Sequence, residues 1–198
     1  MRLFVAIDIN NIDVEKFQKY FLNKFKIDSR IVKPIKKDNL HITLKFLGEK
    51  TDLETKDIIT DLTGIHFDPF KILFDKIGVF PNMRSPRIIW LGLDDQSNKK
   101  LNDVYFQIND ILKKYDKGDN SKSERKSSSG NQKFFPHLTI FRVYNNRMIP
   151  GFLSSLSDRL ISEEEEVNTI SLKKSTITSN GSVYSDLFYI KATKRNAY

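Results

Sequence analysis

Two spacings of apolar residues alternate along this chain, one of two residues and one of three to four. Residues 3–9 form a short apolar run that predicts a strand. Asn10 and Asn11 offer capping side chains for a helix over 12–25. Within it Phe17, Phe21 and Phe25 recur every four residues and Val14 joins them, so they share a face and read as core. Residues 40–47 alternate: Leu40, Ile42, Leu44 and Phe46 point one way, and His41, Thr43 and Lys45 the other. Gly48 ends that strand, and a helix over 52–62 follows with Thr51 as its cap. Residues 67–80 read as one long strand or two, interrupted near Gly78. After turns at Pro81-Asn82 and Ser85-Pro86 comes a strand over 87–93. A helix over 97–115 carries the stripe Leu101, Val104, Ile108, Ile111 and Leu112. A strand is predicted over 134–144, and a short helix runs from the Pro150-Gly151 turn to Leu160. The run Glu163 to Glu166 reads as a solvated face or edge. Strands over 170–177 and 184–190 close the chain as a pair, because Asn180-Gly181 between them is a strong hairpin signal. Locally paired strands with single helices between them give the class α+β, with antiparallel-rich sheets.

The segment 116–133 breaks these periods. Its sequence KGDNSKSERKSSSGNQK has no large apolar residue, and it reads as a flexible polar loop inserted in the fold, or as a basic arm. The 198 residues as a whole are 39% hydrophobic and 29% charged, enough for a core and fitting one domain over 1–198. No apolar run reaches the roughly 20 residues a membrane helix needs, and the first strand is too short for a signal peptide. A cytoplasmic protein with no membrane partner is expected. The absence of cysteine excludes disulfides, thiolate zinc sites and thiol nucleophiles. A net charge of +8 favours a polyanionic partner, RNA first among them, although a lysine-rich surface also serves solubility.

Chemistry enters with the histidines. The chain has 3, and two of them open nearly identical words, His41-Ile42-Thr43-Leu44 and His137-Leu138-Thr139-Ile140. At about 5% threonine, two histidines each followed by Thr at the second place arise by chance at roughly 0.25%. The words stand 96 residues apart, close to half the chain. That spacing suggests an internal duplication, two β-lobes each offering one His-x-Thr strand to a shared cleft. In each word His and Thr face the same way. In-line displacement at phosphorus needs a base on one side and an acid on the other, and two imidazoles can hold those roles together. Two hydroxyls on the same face can donate to the non-bridging oxygens. No His-x-His or His-x-x-x-His pair accompanies them, so neither a metal nor a cofactor is expected. His66, without a threonine partner, reads as structural.

The words LHITLKFLG at 40–48 and FPHLTIFRV at 135–143 resemble the paired signatures of the 2H phosphoesterases. The opening MRLFVAID and the stretch ISLKKSTITSNGSVYSDL at 170–187 are similar to the RNA 2′,3′-cyclic phosphodiesterase branch, also called 2′-5′ RNA ligase-like. The resemblance implies a bilobal fold of two pseudo-symmetric lobes about a central cleft. It implies metal-independent hydrolysis of RNA 2′,3′-cyclic phosphate ends to 2′-phosphates, with tRNA fragments among the candidate substrates, by a monomer. By position, His41 and His137 are then the catalytic pair, and Thr43 and Thr139 bind phosphate. Arg142 matches an arginine that forks onto phosphate; strict alternation turns it away from His137 unless a bulge intervenes. Lys45 and Phe135 share the histidine faces and are candidate cleft or base contacts, with a solvated lysine and a core phenylalanine as the bland readings. Phe46 is a base or cleft contact by resemblance and a core residue by alternation. Two other activities compete: cleavage or reversible ligation of 2′-5′ linked RNA, and non-catalytic binding of RNA ends. His137 as the group that activates water, with His41 protonating the leaving 3′ oxygen, is the first arrangement to weigh.

Overall fold

The computed structural model describes residues 1–28, 30–116, 134–145, 163–179 and 181–193. The polar loop beyond Asp116, the short helix to Leu160 and Asn180 of the hairpin signal lie outside them. In chain order the elements are β1 (Arg2–Asp8), α1 (Val14–Phe25), β2 (Val32–Pro34), β3 (His41–Glu49), α2 (Asp52–Leu62), β4 (Phe70–Phe80), β5 (Ile88–Leu93), α3 (Asp95–Leu112), β6 (His137–Val143), β7 (Glu163–Val167), β8 (Thr169–Thr178) and β9 (Gly181–Lys191).

Local chemistry starts each helix. Asp13, rather than Asn10 or Asn11, accepts the Lys16 N–H and caps α1. Thr51 and Glu54 close a capping box on α2, and Asp94 caps α3. Asn11 instead donates backbone and side-chain N–H to Glu165 on β7. That explains why one member of the acidic run is 2% exposed while its neighbours are solvated.

The strands form one antiparallel sheet in the order β7-β4-β5-β6-β3-β1-β8-β9, with β2 also paired to β6. Apolar residues of all three helices and of one sheet face gather in a single core, including Phe21, Ile58 and Leu101 against Ile7, Ile42, Ile89 and Leu138. The helices therefore cover one face. The other face carries both His-x-Thr words, on the neighbouring strands β3 and β6 at the middle of the sheet. These two strands are joined by one bridging pair, Ile42 with Leu138.

Candidate active site

The bridge between Ile42 and Leu138 sets the geometry of the motifs. Continuing its antiparallel register by one residue each way sets His41 across from Thr139 and Thr43 across from His137. Opposed residues in such a pair stand about 4.5–5.5 Å apart and diagonal ones about 7–8 Å. The four side chains thus form a square on the open face, with the histidines on one diagonal and the threonines on the other. All four are partly exposed. Neither threonine hydroxyl has a hydrogen-bond partner among the described residues.

Each imidazole is oriented in the same way. His41 Nδ1 stands 2.8 Å from the Asn39 carbonyl oxygen, and His137 Nδ1 stands 2.9 Å from that of Phe135. A carbonyl only accepts, so each Nδ1 carries a proton and donates it two residues back. Each Nε2 is left for the open face.

Their surroundings differ. Phe4 and Tyr184 flank His41, both at 5.2 Å between ring centroids. Around His137 stand Phe80 at 5.1 Å, with Trp90 and Phe135 each at 6.3 Å. The Trp90 indole lies on Gly78 of the next strand, where a Cβ would come within 2.3 Å of the ring. Beyond His41, Lys173 pairs with Asp8 at 2.8 Å and with Asp186. Ser171 donates to Asp8 and Tyr189 to Asp186. Burial pushes the His41 imidazole below its ordinary pKa. The bond to Asn39 and the charge of Asp8 oppose that shift, while Lys173 and His137 add to it. Burial also works to lower Lys173, but its bonds to Asp186 and Asp8 outweigh it and hold the ammonium above its ordinary value.

Strict alternation fails just after each threonine, and three expectations change with it. Val5 pairs with Lys45 but Ala6 with Thr43, so Leu44 and Lys45 together oppose one residue. On β6, Ile89 pairs with Phe141 and Trp90 with Thr139, so Ile140 and Phe141 do the same. The first bulge turns Lys45 to the helix side. There its Nζ donates to Asn109 and Asp116 at 2.9 and 2.8 Å, so it does not share the His41 face. The same slip returns Phe46 to the open face, 71% exposed and 6.2 Å from Phe4, where alternation had put it in the core. The second bulge returns Arg142 to the open face opposite Lys33 of β2. Phe135 is 51% exposed and edge-on to Trp90, not core. His66 is exposed in the loop before β4. Sequence reading passed over Phe80, Trp90 and the Lys173 cluster. The alternation of Ser171 and Lys173 with Ile170 and Leu172 was the signal available for the last.

Comparison with known proteins follows the same line. The family pattern "LigT like Phosphoesterase" matches residues 21–90. The RNA 2′,3′-cyclic phosphodiesterase of Archaeoglobus fulgidus is 33% identical over 94% of this chain and 98% of its own length. That of Methanocaldococcus jannaschii is 36% identical over 93% and 96%. Among solved structures, Escherichia coli LigT complexed with 3′-AMP superposes with a TM-score of 0.72 at 22% identity, covering 98% of both chains. The Thermus thermophilus protein TT0787 gives 0.65 at 24% identity, covering 96% of this chain and 97% of that one. Both share the fold.

Proposed function

This chain belongs to the LigT-like phosphoesterases, a family of hydrolases within the 2H superfamily, and on that footing we propose that it opens RNA 2′,3′-cyclic phosphate ends with His41 and His137 as acid and base. The observation that carries the proposal is the square of two histidines and two threonines across the Ile42–Leu138 bridge.

The chemistry follows from the free atoms. A cyclic phosphate between the strands places one imidazole beside the attacking water and the other beside the 3′ oxygen. The neutral Nε2 takes a proton as water oxygen bonds to phosphorus. The P–O3′ bond breaks, and the protonated Nε2 opposite gives its proton to the 3′ oxygen. The product is a 2′-phosphate beside a free 3′ hydroxyl. Thr43 and Thr139 donate to the non-bridging oxygens, and Arg142 adds a guanidinium at the end of the phosphate site. Phe46 and Phe135, both exposed on the open face, offer apolar walls to the terminal base. Protons move entirely between imidazoles and oxygens, so the step runs without a metal. Burial favours neutral His41 in the free protein. If His41 is the acid, the bound phosphate anion must restore its proton.

The test is incubation with a 2′,3′-cyclic nucleotide in excess chelator, with product identification and His41→Ala and His137→Ala in parallel. A 2′-phosphate from wild type, and losses of at least a thousandfold in both variants, are expected. Full activity in either variant overturns the pair. A 3′-phosphate overturns the regiochemistry.

A further inference from the structure

Beyond Arg142 the open face continues into a basic groove that the chemistry above does not use. The groove encloses about 480 Å³ and is lined by Lys33, Lys36 and Tyr144 on one side and by Thr178, Ser179 and Gly181 of the β8–β9 hairpin on the other. Its position follows from the register. Lys33 pairs with Arg142, so it lies on the same strand neighbourhood as the second motif. Lys36 begins the turn over 37–39, whose Asn39 holds the His41 ring through its carbonyl. Asn39 Nδ2 also donates to the Ser182 carbonyl oxygen at 3.2 Å, which ties this wall to the hairpin. The groove therefore starts beside the histidine square.

Its chemistry is that of a polyanion site. Lys33 and Lys36 in its lining are exposed, as are Arg142 and Arg87 nearby, and none of the four has a carboxylate partner among the described residues. Other exposed lysines do have carboxylate partners, as at Lys71 with Glu164, Lys76 with Asp95 and Lys114 with Asp61. Unpaired cations side by side repel one another, so a site that keeps them together is stabilised when an anion enters. Tyr144 adds an aromatic ring, 59% exposed, between the lysines and Arg87. Cations interleaved with an exposed ring suit a single strand, whose phosphates track the charges while its bases stack.

We infer that this groove binds the single-stranded RNA body behind the cyclic phosphate end, through phosphate contacts to Lys33 and Lys36 and stacking on Tyr144. This rests on the function proposed above. It adds that the preferred substrate is an oligonucleotide rather than a nucleotide.

The experiment compares a 2′,3′-cyclic mononucleotide with a six-nucleotide single strand bearing the same end, using the full chain and a Lys33→Glu/Lys36→Glu variant checked for folding by circular dichroism. Wild type should show a higher kcat/KM on the hexamer. The variant should lose that gain and keep its mononucleotide rate. The slope of log affinity against log salt should fall by about 1.4 in the variant, at about 0.7 per single-strand phosphate contact. Tyr144→Ala should weaken hexamer binding by roughly five- to a hundredfold. No gain with length in wild type, or an equal gain in the variant, overturns the inference. If wild type cleaves neither substrate, the function proposed above fails. Anisotropy with a labelled hexamer ending in a 3′-phosphate then decides the groove alone: tight binding by wild type and not by the variant sustains it, and equal binding overturns it. Equally tight binding of the corresponding duplex overturns the single-strand assignment.

Discussion

Lys45, Phe46 and Arg142 are residues whose side strict alternation misplaced, and Lys45 now has a specific expected phenotype. Lys45 bonds Asn109 and Asp116 with its side chain 9% exposed, so it holds the end of α3 to β3. Lys45→Met should lower stability by about 1 kcal/mol and change kcat/KM on a cyclic nucleotide less than twofold. A large kinetic loss at unchanged stability would put the ammonium at the phosphate after all. His41 makes a prediction in pH. Its folded-state pKa is lowered, so the unfolded chain binds the proton more tightly. The fold is therefore penalised as the pH falls below the ordinary histidine range, and the penalty vanishes above it. Urea midpoints should drop between pH 7.5 and pH 5 by more in wild type than in His41→Gln, which lacks the titrating ring. Equal drops would show that burial of this ring is not what shifts it.

At the scale of elements, the strands bearing the motifs and the capped helix α2 were legible because their patterns are local. An alternating strand and a capping box need no distant partner to be recognised. The bulges were not, because each depends on the strand opposite. Nothing in Leu44-Lys45 or Ile140-Phe141 differs from ordinary strand sequence. On β6 the slip has visible support: the Ile140 carbonyl oxygen accepts from Ile35 N–H at 3.0 Å and from Gln18 Nε2 at 2.7 Å. Gln18 sits on α1, 3% exposed, where helical spacing alone would have given a buried apolar residue. The short β2 was missed because three residues carry no period, and the acidic run read as a solvated face or edge is the edge strand β7, hidden as a strand because glutamates disfavour one. Of the two readings of residues 67–80, one long strand or two interrupted near Gly78, the single strand holds over 70–80, and β4 runs through Gly78. Its lack of a side chain seats Trp90 against His137. Gly78→Val should displace the indole and destabilise the fold by about 1–3 kcal/mol. Because Trp90 is the sole tryptophan, its emission should shift in the same variant. Unchanged emission and stability would mean that β4 gives way without disturbing the ring.

On the scale of the whole molecule, the motif spacing of 96 residues pointed to two related halves but says nothing of how they are threaded. In the sheet, β4, β5, β6 and β7 form one side of the seam between the motifs, and β3, β1, β8 and β9 the other. The first set is continuous in the chain from Phe70 to Val167, and the second is split around it. Only β8 completes β1, through pairs such as Phe4 with Lys173 and Ala6 with Ser171. A chain ending at Asn168 should thus lose the His41 side, with its Lys173 and Tyr184, and show neither cooperative unfolding nor hydrolysis. A folded, active truncation would show that β1 and β3 stand without the closing strand pair. The same threading bears on how the molecule is born. β1 is made well before its partner β8, so it stays unpaired on that side until residues 169–178 have followed. The His137 side can form around its own contiguous strands, while the His41 side is assembled from segments that flank them in the chain. A chain made only as far as β7 carries all four residues of the square but not the strand that braces β1, so the His41 side gains its support only once β8 and β9 have followed.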